Sequence, residues 1–131
     1  MTNKPLNGHC LCGAVKFTAK PTEMTMGVCH CSMCRRWSGG TFMAVDCGDS
    51  VKVENESALG VYHSSDWGER CFCRSCGTTL FWRMRVGAPH VVVAAQAFDD
   101  QSVFAFNSEI FIDDTPANYA FANPTKKLTG A

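Results

Sequence analysis

The sequence predicts a mainly β domain with very little helix, and three observations lead there. Short runs of β-branched and aromatic residues recur between turn signals, and helix signals are scarce. Eight of the nine cysteines fall into three tight groups, whose turns could pin sheets together where they meet. Ala14–Ala19 alternates Val15, Phe17 and Ala19 with polar Lys16 and Thr18, the period-two pattern of a half-buried strand. Thr41–Val45, Val51–Glu54 and Leu59–His63 read as further strands. In Thr78–Met84, Leu80, Trp82 and Met84 share one face while Thr79, Phe81 and Arg83 share the other. His90–Ala97 is nearly continuously apolar, which suits a central strand covered on both sides. Glu109–Ile112 adds a short strand before Asp113-Asp114-Thr115-Pro116. The best helix signal is Ser32–Trp37, stopped by Gly39-Gly40. Thr115-Pro116 resembles an N-cap followed by an N1 proline, opening a second short turn through Tyr119.

A length of 131 residues fits a single domain, expected over 1–131. Twelve basic residues cancel twelve acidic ones, which removes the surface excess that normally drives nucleic-acid binding, so no such partner is expected. No apolar run approaches the roughly 18 residues of a membrane span, and the stretch from Met1 to Gly8 lacks the apolar core of a secretory signal. A cytoplasmic location is therefore expected. Thiols stay reduced there, so clustered cysteines read as metal ligands or catalysts, and an odd count also sits badly with a disulfide framework.

Cys73-x-x-Cys76-Gly77 has knuckle spacing, in which a turn lets both sulfurs face one ion and glycine supplies positive φ just after it. Cys10-x-Cys12-Gly13 is tighter but also ends in glycine. Two such pairs give the four ligands of a structural zinc, clipping the N-terminal strand to the middle of the chain. Buried free cysteines in apolar turns are the alternative. Cys29-x-Cys31-x-x-Cys34 offers three thiolates in six residues, and three protein ligands leave a coordination position open for a substrate, best a thiol. The alternative is a closed site completed by His9, His63, His90, Cys47 or Cys71. His30, between two of the ligands, is expected to point away from the metal, orienting a substrate or facing solvent. Arg35 and Arg36, directly after Cys34, could recognise carboxylates bidentately. Cys71 stays in play as a nearby thiol on the face of Cys73, and Cys47 reads as packing.

Gly8-His9-Cys10-Leu11-Cys12-Gly13-Ala14-Val15, Cys29-His30-Cys31-Ser32-Met33-Cys34-Arg35-Arg36-Trp37-Ser38-Gly39 and Arg70-Cys71-Phe72-Cys73-Arg74-Ser75-Cys76-Gly77-Thr78 together resemble the glutathione-dependent formaldehyde-activating family, which includes the centromere protein V group. The resemblance runs from about Gly8 to Tyr119. It implies a β-tent fold of short antiparallel strands, a structural zinc on Cys10, Cys12, Cys73 and Cys76, and a second zinc on Cys29, Cys31 and Cys34. The activity implied joins formaldehyde to the thiol of glutathione, formally a carbon–sulfur lyase reaction. Family members often carry histidine before the late Ile-Phe pair and tryptophan after the following proline; here Glu109 precedes the pair and Ala117-Asn118-Tyr119 follows Pro116. Those positions would alter the substrate if they lined the pocket.

Two functions follow. The first is a zinc-dependent carbon–sulfur lyase acting on a glutathione-type thiol and a small aldehyde, with His30 moving a proton and Arg35 and Arg36 holding carboxylates. The second is a non-catalytic zinc scaffold that binds a protein partner.

Overall fold

In the computed structural model, residues 4–130 are described; residues 1–3 and 131, the ends of the expected domain, lie outside them. The strands are β1 (Leu6–His9), β2 (Lys16–Ala19), β3 (Thr25–Cys29), β4 (Phe42–Asp46), β5 (Lys52–Val53), β6 (Leu59–His63), β7 (Gly68–Cys73), β8 (Thr79–Met84), β9 (Val91–Ala94), β10 (Ala105–Ile110) and β11 (Lys126–Lys127). One α-helix, α1 (Ser32–Ser38), interrupts them, so the mainly β class expected from the sequence holds.

The strands form two sheets, a small one ordered β1-β2-β5 and a large one ordered β11-β10-β3-β4-β9-β8-β7-β6. Both lean on one core. Phe17 of β2 sits edge-on to Phe81 of β8 at 5.1 Å and to Phe98 at 5.5 Å, and all three rings are buried. Such T-shaped contacts add about 0.5–1.5 kcal/mol to the burial of each ring. Val15, Val45, Leu80 and Val93 fill the space around them.

The expected strands mostly stand: Leu59–His63 keeps its bounds, Thr41–Val45 shifts by one residue, the last strand starts earlier at Ala105, and the others are shortened. Pairing departs from the all-antiparallel expectation at one place: β10 runs parallel to both β3 and β11. The chain leaves β9 through two 3-10 turns, Ala95–Ala97 and Gln101–Val103, and returns across the sheet to its far side, which sets that direction. The run from His90 to Ala97 is also not buried on both faces. Val91 and Val93 face the core, while Val92 and Ala94 are only half-buried on the opposite face. On that face Val92 forms part of the floor of a cavity.

The turn expected at Thr115–Tyr119 is present at Ala117–Asn118, and a second one precedes it. A 3-10 turn occupies Ile112–Asp114, and Thr115 closes it before the chain turns again after Pro116. Phe111 precedes it with φ 53°, an uncommon conformation for a bulky side chain. Helix α1 matches its expected position. The Cys31 sulfur caps it by accepting from the Cys34 N–H at 3.3 Å, and Gly39 ends it at φ 78°, where its N–H reaches the Arg35 carbonyl.

Candidate functional site

The first cysteine group joins the two sheets. Cys10 and Cys12 lie in the turn after β1, Cys73 ends β7 and Cys76 lies in the turn that follows. All four sulfurs fall within 4.8 Å of one another. Cys10 and Cys12 Sγ are 3.7 Å apart, as are Cys12 and Cys73 Sγ. A tetrahedron with ~2.3 Å metal–sulfur bonds has sulfur edges of about 3.8 Å, so the donors already sit at the separation a zinc ion requires. Gly13 at φ 82° and Gly77 at φ 80° let the chain turn back directly after each pair. Backbone N–H groups of Val15, Ser75 and Cys76 donate to these sulfurs at 3.2–3.4 Å, as suits thiolates. The Thr78 hydroxyl, 3.1 Å from Cys76 Sγ, leads the interactions that lower that thiol's pKa to about 5. This group could hold a metal ion.

The second group is local in sequence. Cys29 ends β3, Cys31 caps α1 and Cys34 lies on its first turn, with their sulfurs within 4.8 Å of one another. No other His, Cys, Asp or Glu joins the group among the described residues. The candidate fourth ligands are elsewhere. His9 pairs with Asp99, His63 with Glu69 and His90 with Asp46. Cys47 and Cys71 are buried in the core, which raises both thiols to about 12 and leaves them inert packing groups. Of the three clustered thiols Cys34 ionises first. A hydrogen bond from Cys29 and the neighbouring Arg70 guanidinium hold its pKa at about 5, and Cys29 is correspondingly raised.

All three sulfurs line a cavity of about 740 Å³ on the outer face of the large sheet. Its floor is a cross-strand row, Asp46 opposite Val92, Val92 opposite Trp82, and Trp82 opposite Arg70. Trp67, Ile110 and Phe111 add apolar walls. Arg70 is the residue that sequence reasoning passed over. Its Nη1 donates to Cys34 Sγ at 3.6 Å, and its guanidinium lies 5.0 Å from the Trp37 ring centroid. A basic residue alternating with core positions along a strand was the available signal.

His30, Arg35 and Arg36 are not among the residues lining this cavity. His30 is fully buried rather than facing solvent. Its Nδ1 is 2.8 Å from Tyr119 Oη and its Nε2 is 2.8 Å from Glu109 Oε1. The Glu109 carboxylate accepts from His30 Nε2–H, and burial, which raises the Tyr119 pKa, keeps the phenol protonated beside Nδ1. Burial pushes the Glu109 carboxyl up, but hydrogen bonds from Thr125 and His30 and the Lys127 charge outweigh it and leave the pKa lowered. Glu109 thus stands behind the cysteine loop, holding His30, and lies outside the cavity lining. Arg35 donates Nε–H to the His30 carbonyl at 2.8 Å, bracing the same loop, while Arg36 is exposed.

Comparison with known proteins agrees with this arrangement. The family model described as glutathione-dependent formaldehyde-activating enzyme matches residues 5–114. An uncharacterized lyase of Schizosaccharomyces pombe is 37% identical over 122 residues, covering 93% of this chain and 89% of that protein. A Halomonas elongata protein provisionally named a glutathione-dependent formaldehyde-activating enzyme is 32% identical over 85 residues, covering 58% of this chain and 54% of its own length. A crystal structure of a Rhodobacter sphaeroides protein superposes with a TM-score of 0.63 at 20% identity, over 78% of this chain and 100% of that one, which shows a shared fold. The matched segment carries both cysteine groups, and the chain belongs to the glutathione-dependent formaldehyde-activating enzyme family.

Proposed function

We propose that this protein is a zinc-dependent carbon–sulfur lyase acting on a glutathione-type thiol and a small aldehyde. The observation that carries the reading is the second cysteine group, three sulfurs without a fourth protein donor among the described residues, lining a cavity large enough for a small-molecule substrate. A zinc ion there would lower the pKa of an incoming thiol, so that it binds as the nucleophilic thiolate. A second zinc on Cys10, Cys12, Cys73 and Cys76 would be architectural, since those donors include two fully buried sulfurs and join separate sheets.

The chain's own residues do the rest. Trp67, Trp82 and Phe111 give the cavity that holds the reacting sulfur an apolar side. We read His30 and Arg35 as positioning residues: His30 ties the cysteine loop to β10 and Tyr119, and Arg35 fixes the His30 carbonyl. Arg36 is two residues beyond Cys34 on α1, so it does not share that sulfur's face. No helix among the described residues is long and apolar enough to cross a membrane. A cytoplasmic location, a small thiol partner and no nucleic-acid partner complete the proposal; it draws on nine free cysteines and balanced charge.

Cobalt-substituted protein tests the open position. Glutathione is expected to perturb the cobalt–thiolate absorption bands, because a fourth sulfur joins the second group. Unchanged bands mean a closed site and leave the scaffold function. Glutathione is further expected to bind more tightly than 2-mercaptoethanol. Replacing Arg35 and Arg36 together with alanine should change that preference by less than about threefold, under 1 kcal/mol, because neither lines the cavity. A larger loss, read by anaerobic calorimetry, would return both arginines to carboxylate recognition.

A further inference from the structure

Arg70 is 6% exposed, and its Nε is buried with no hydrogen-bond partner. No carboxylate pairs with it among the described residues. An arginine in that setting is costly to the fold unless some negative charge compensates it. The Trp37 ring supports one side of the guanidinium, and Cys34 Sγ takes Nη1. Arg70 also lines the cavity, between the sulfur cluster and the Trp82 wall. Its position limits what it can hold. At 3.6 Å from a ligand sulfur, it stands beside the reacting centre, not at the far end of a peptide-sized thiol.

On the reading that this is a thiol–aldehyde lyase site, we propose that Arg70 is the oxyanion-stabilising catalytic residue. In the addition direction the thiolate sulfur attacks the aldehyde carbon, the C–S bond forms, and the carbonyl π pair moves onto oxygen. That oxygen is two bonds from the reacting sulfur, which places it beside the cluster where Arg70 lies. The guanidinium N–H groups receive the alkoxide, and a proton from water then converts it to the hydroxyl. In the lyase direction water removes that proton, the C–S bond breaks, and the pair returns to sulfur as the thiolate leaves. Arg70 keeps its own protons throughout. The apolar walls strengthen the interaction, since a charge pair gains most where water is excluded.

The test compares Arg70→Gln and Arg70→Lys with the wild type, using zinc-loaded protein for turnover of glutathione with formaldehyde and cobalt-substituted protein for thiol binding. Loss of one oxyanion donor lowers kcat by about 100- to 1,000-fold. Arg70→Gln is expected to show that fall, with glutathione affinity from the cobalt-band titration within threefold of wild type. Arg70→Lys, which keeps the charge, should recover part of kcat. A fall in kcat of less than tenfold overturns the assignment. So do altered cobalt bands before thiol is added, which would make Arg70 a support for the cluster. A loss of glutathione affinity with unchanged 2-mercaptoethanol binding would reassign it to a substrate carboxylate, and unfolding of both variants would reassign it to stability. If wild-type protein shows no thiol-dependent band change, the lyase reading itself falls, independently of Arg70.

Discussion

Cys76→Ser is expected to unfold the protein, whereas Cys31→Ser is expected to leave it folded. Cys76 belongs to the group that ties the turn after β1 to the turn after β7, residues more than sixty positions apart and on different sheets. Metal bound there is folding free energy outright; structural zinc in small peptides contributes about 10–16 kcal/mol at neutral pH. A whole domain is stable by only ~5–15 kcal/mol, so loss of this group removes most of the margin. Cys31 belongs to a group confined to six residues, from Cys29 to Cys34, and closes little chain. Serine also keeps the helix cap, because its hydroxyl can accept from the Cys34 N–H in place of sulfur. Far-UV circular dichroism and thermal melting of both variants decide the matter. Equal loss of structure in the two would erase the division into architectural and open sites.

The second large effect is expected at Glu109. Its carboxylate is 2% exposed and joins His30, Thr125 and Lys127. Glu109→Ala leaves a buried imidazole N–H without an acceptor and should cost about 3–5 kcal/mol, the range for breaking a buried ion-paired network by removing one partner. Glu109→Gln keeps an acceptor and should cost about 1–2 kcal/mol. The pH dependence has a definite sign. The folded carboxyl lies below its ordinary value of 4.5, so its stabilisation is complete above that pH and drains away as pH falls through the folded pKa. Urea midpoints of the wild type and Glu109→Gln should therefore converge only as pH falls from 4.5 through the lowered folded pKa. A wild-type advantage that persists undiminished into that range would sink the network's role, as would a cost below 1 kcal/mol for Glu109→Ala.

The parts of this molecule legible in its sequence are those with a local signature. Alternation revealed β2 and β8, β-branched and aromatic runs marked β4 and β6, glycine marked the end of α1, and cysteine spacing gave both groups that could hold a metal. β10 begins earlier than expected, although Phe104 and Phe106 already alternate with Ala105 and Asn107. The His30 network was hidden because its partners lie 79 and 89 residues away and neither has a local motif. Arg70 was hidden for a different reason. Its importance comes from strand register, which sets it opposite Trp82 and beside Cys34, and period-two patterning does not reveal which neighbour a strand will take.

The parallel placement of β10 beside β3 has a consequence for the order in which the chain can mature. Once residues 6–84 are available, the first cysteine group and most of its flanking strands can assemble. The three sulfurs of the second group are present by then too, and Arg70 can already reach Cys34, but the loop that carries them lacks the supports that come later in the chain. Its supports come from Ile110, whose carbonyl takes the His30 N–H, and from Glu109 and Tyr119. Long-range strand pairing is slow because loop-closure entropy is lost before contacts form. A nascent chain emerging from the ribosome would therefore bring its first cysteine group together well before the second is held in shape. Until β10 docks, those thiols sit on a loop held only in part, open to oxidation and to the wrong metal.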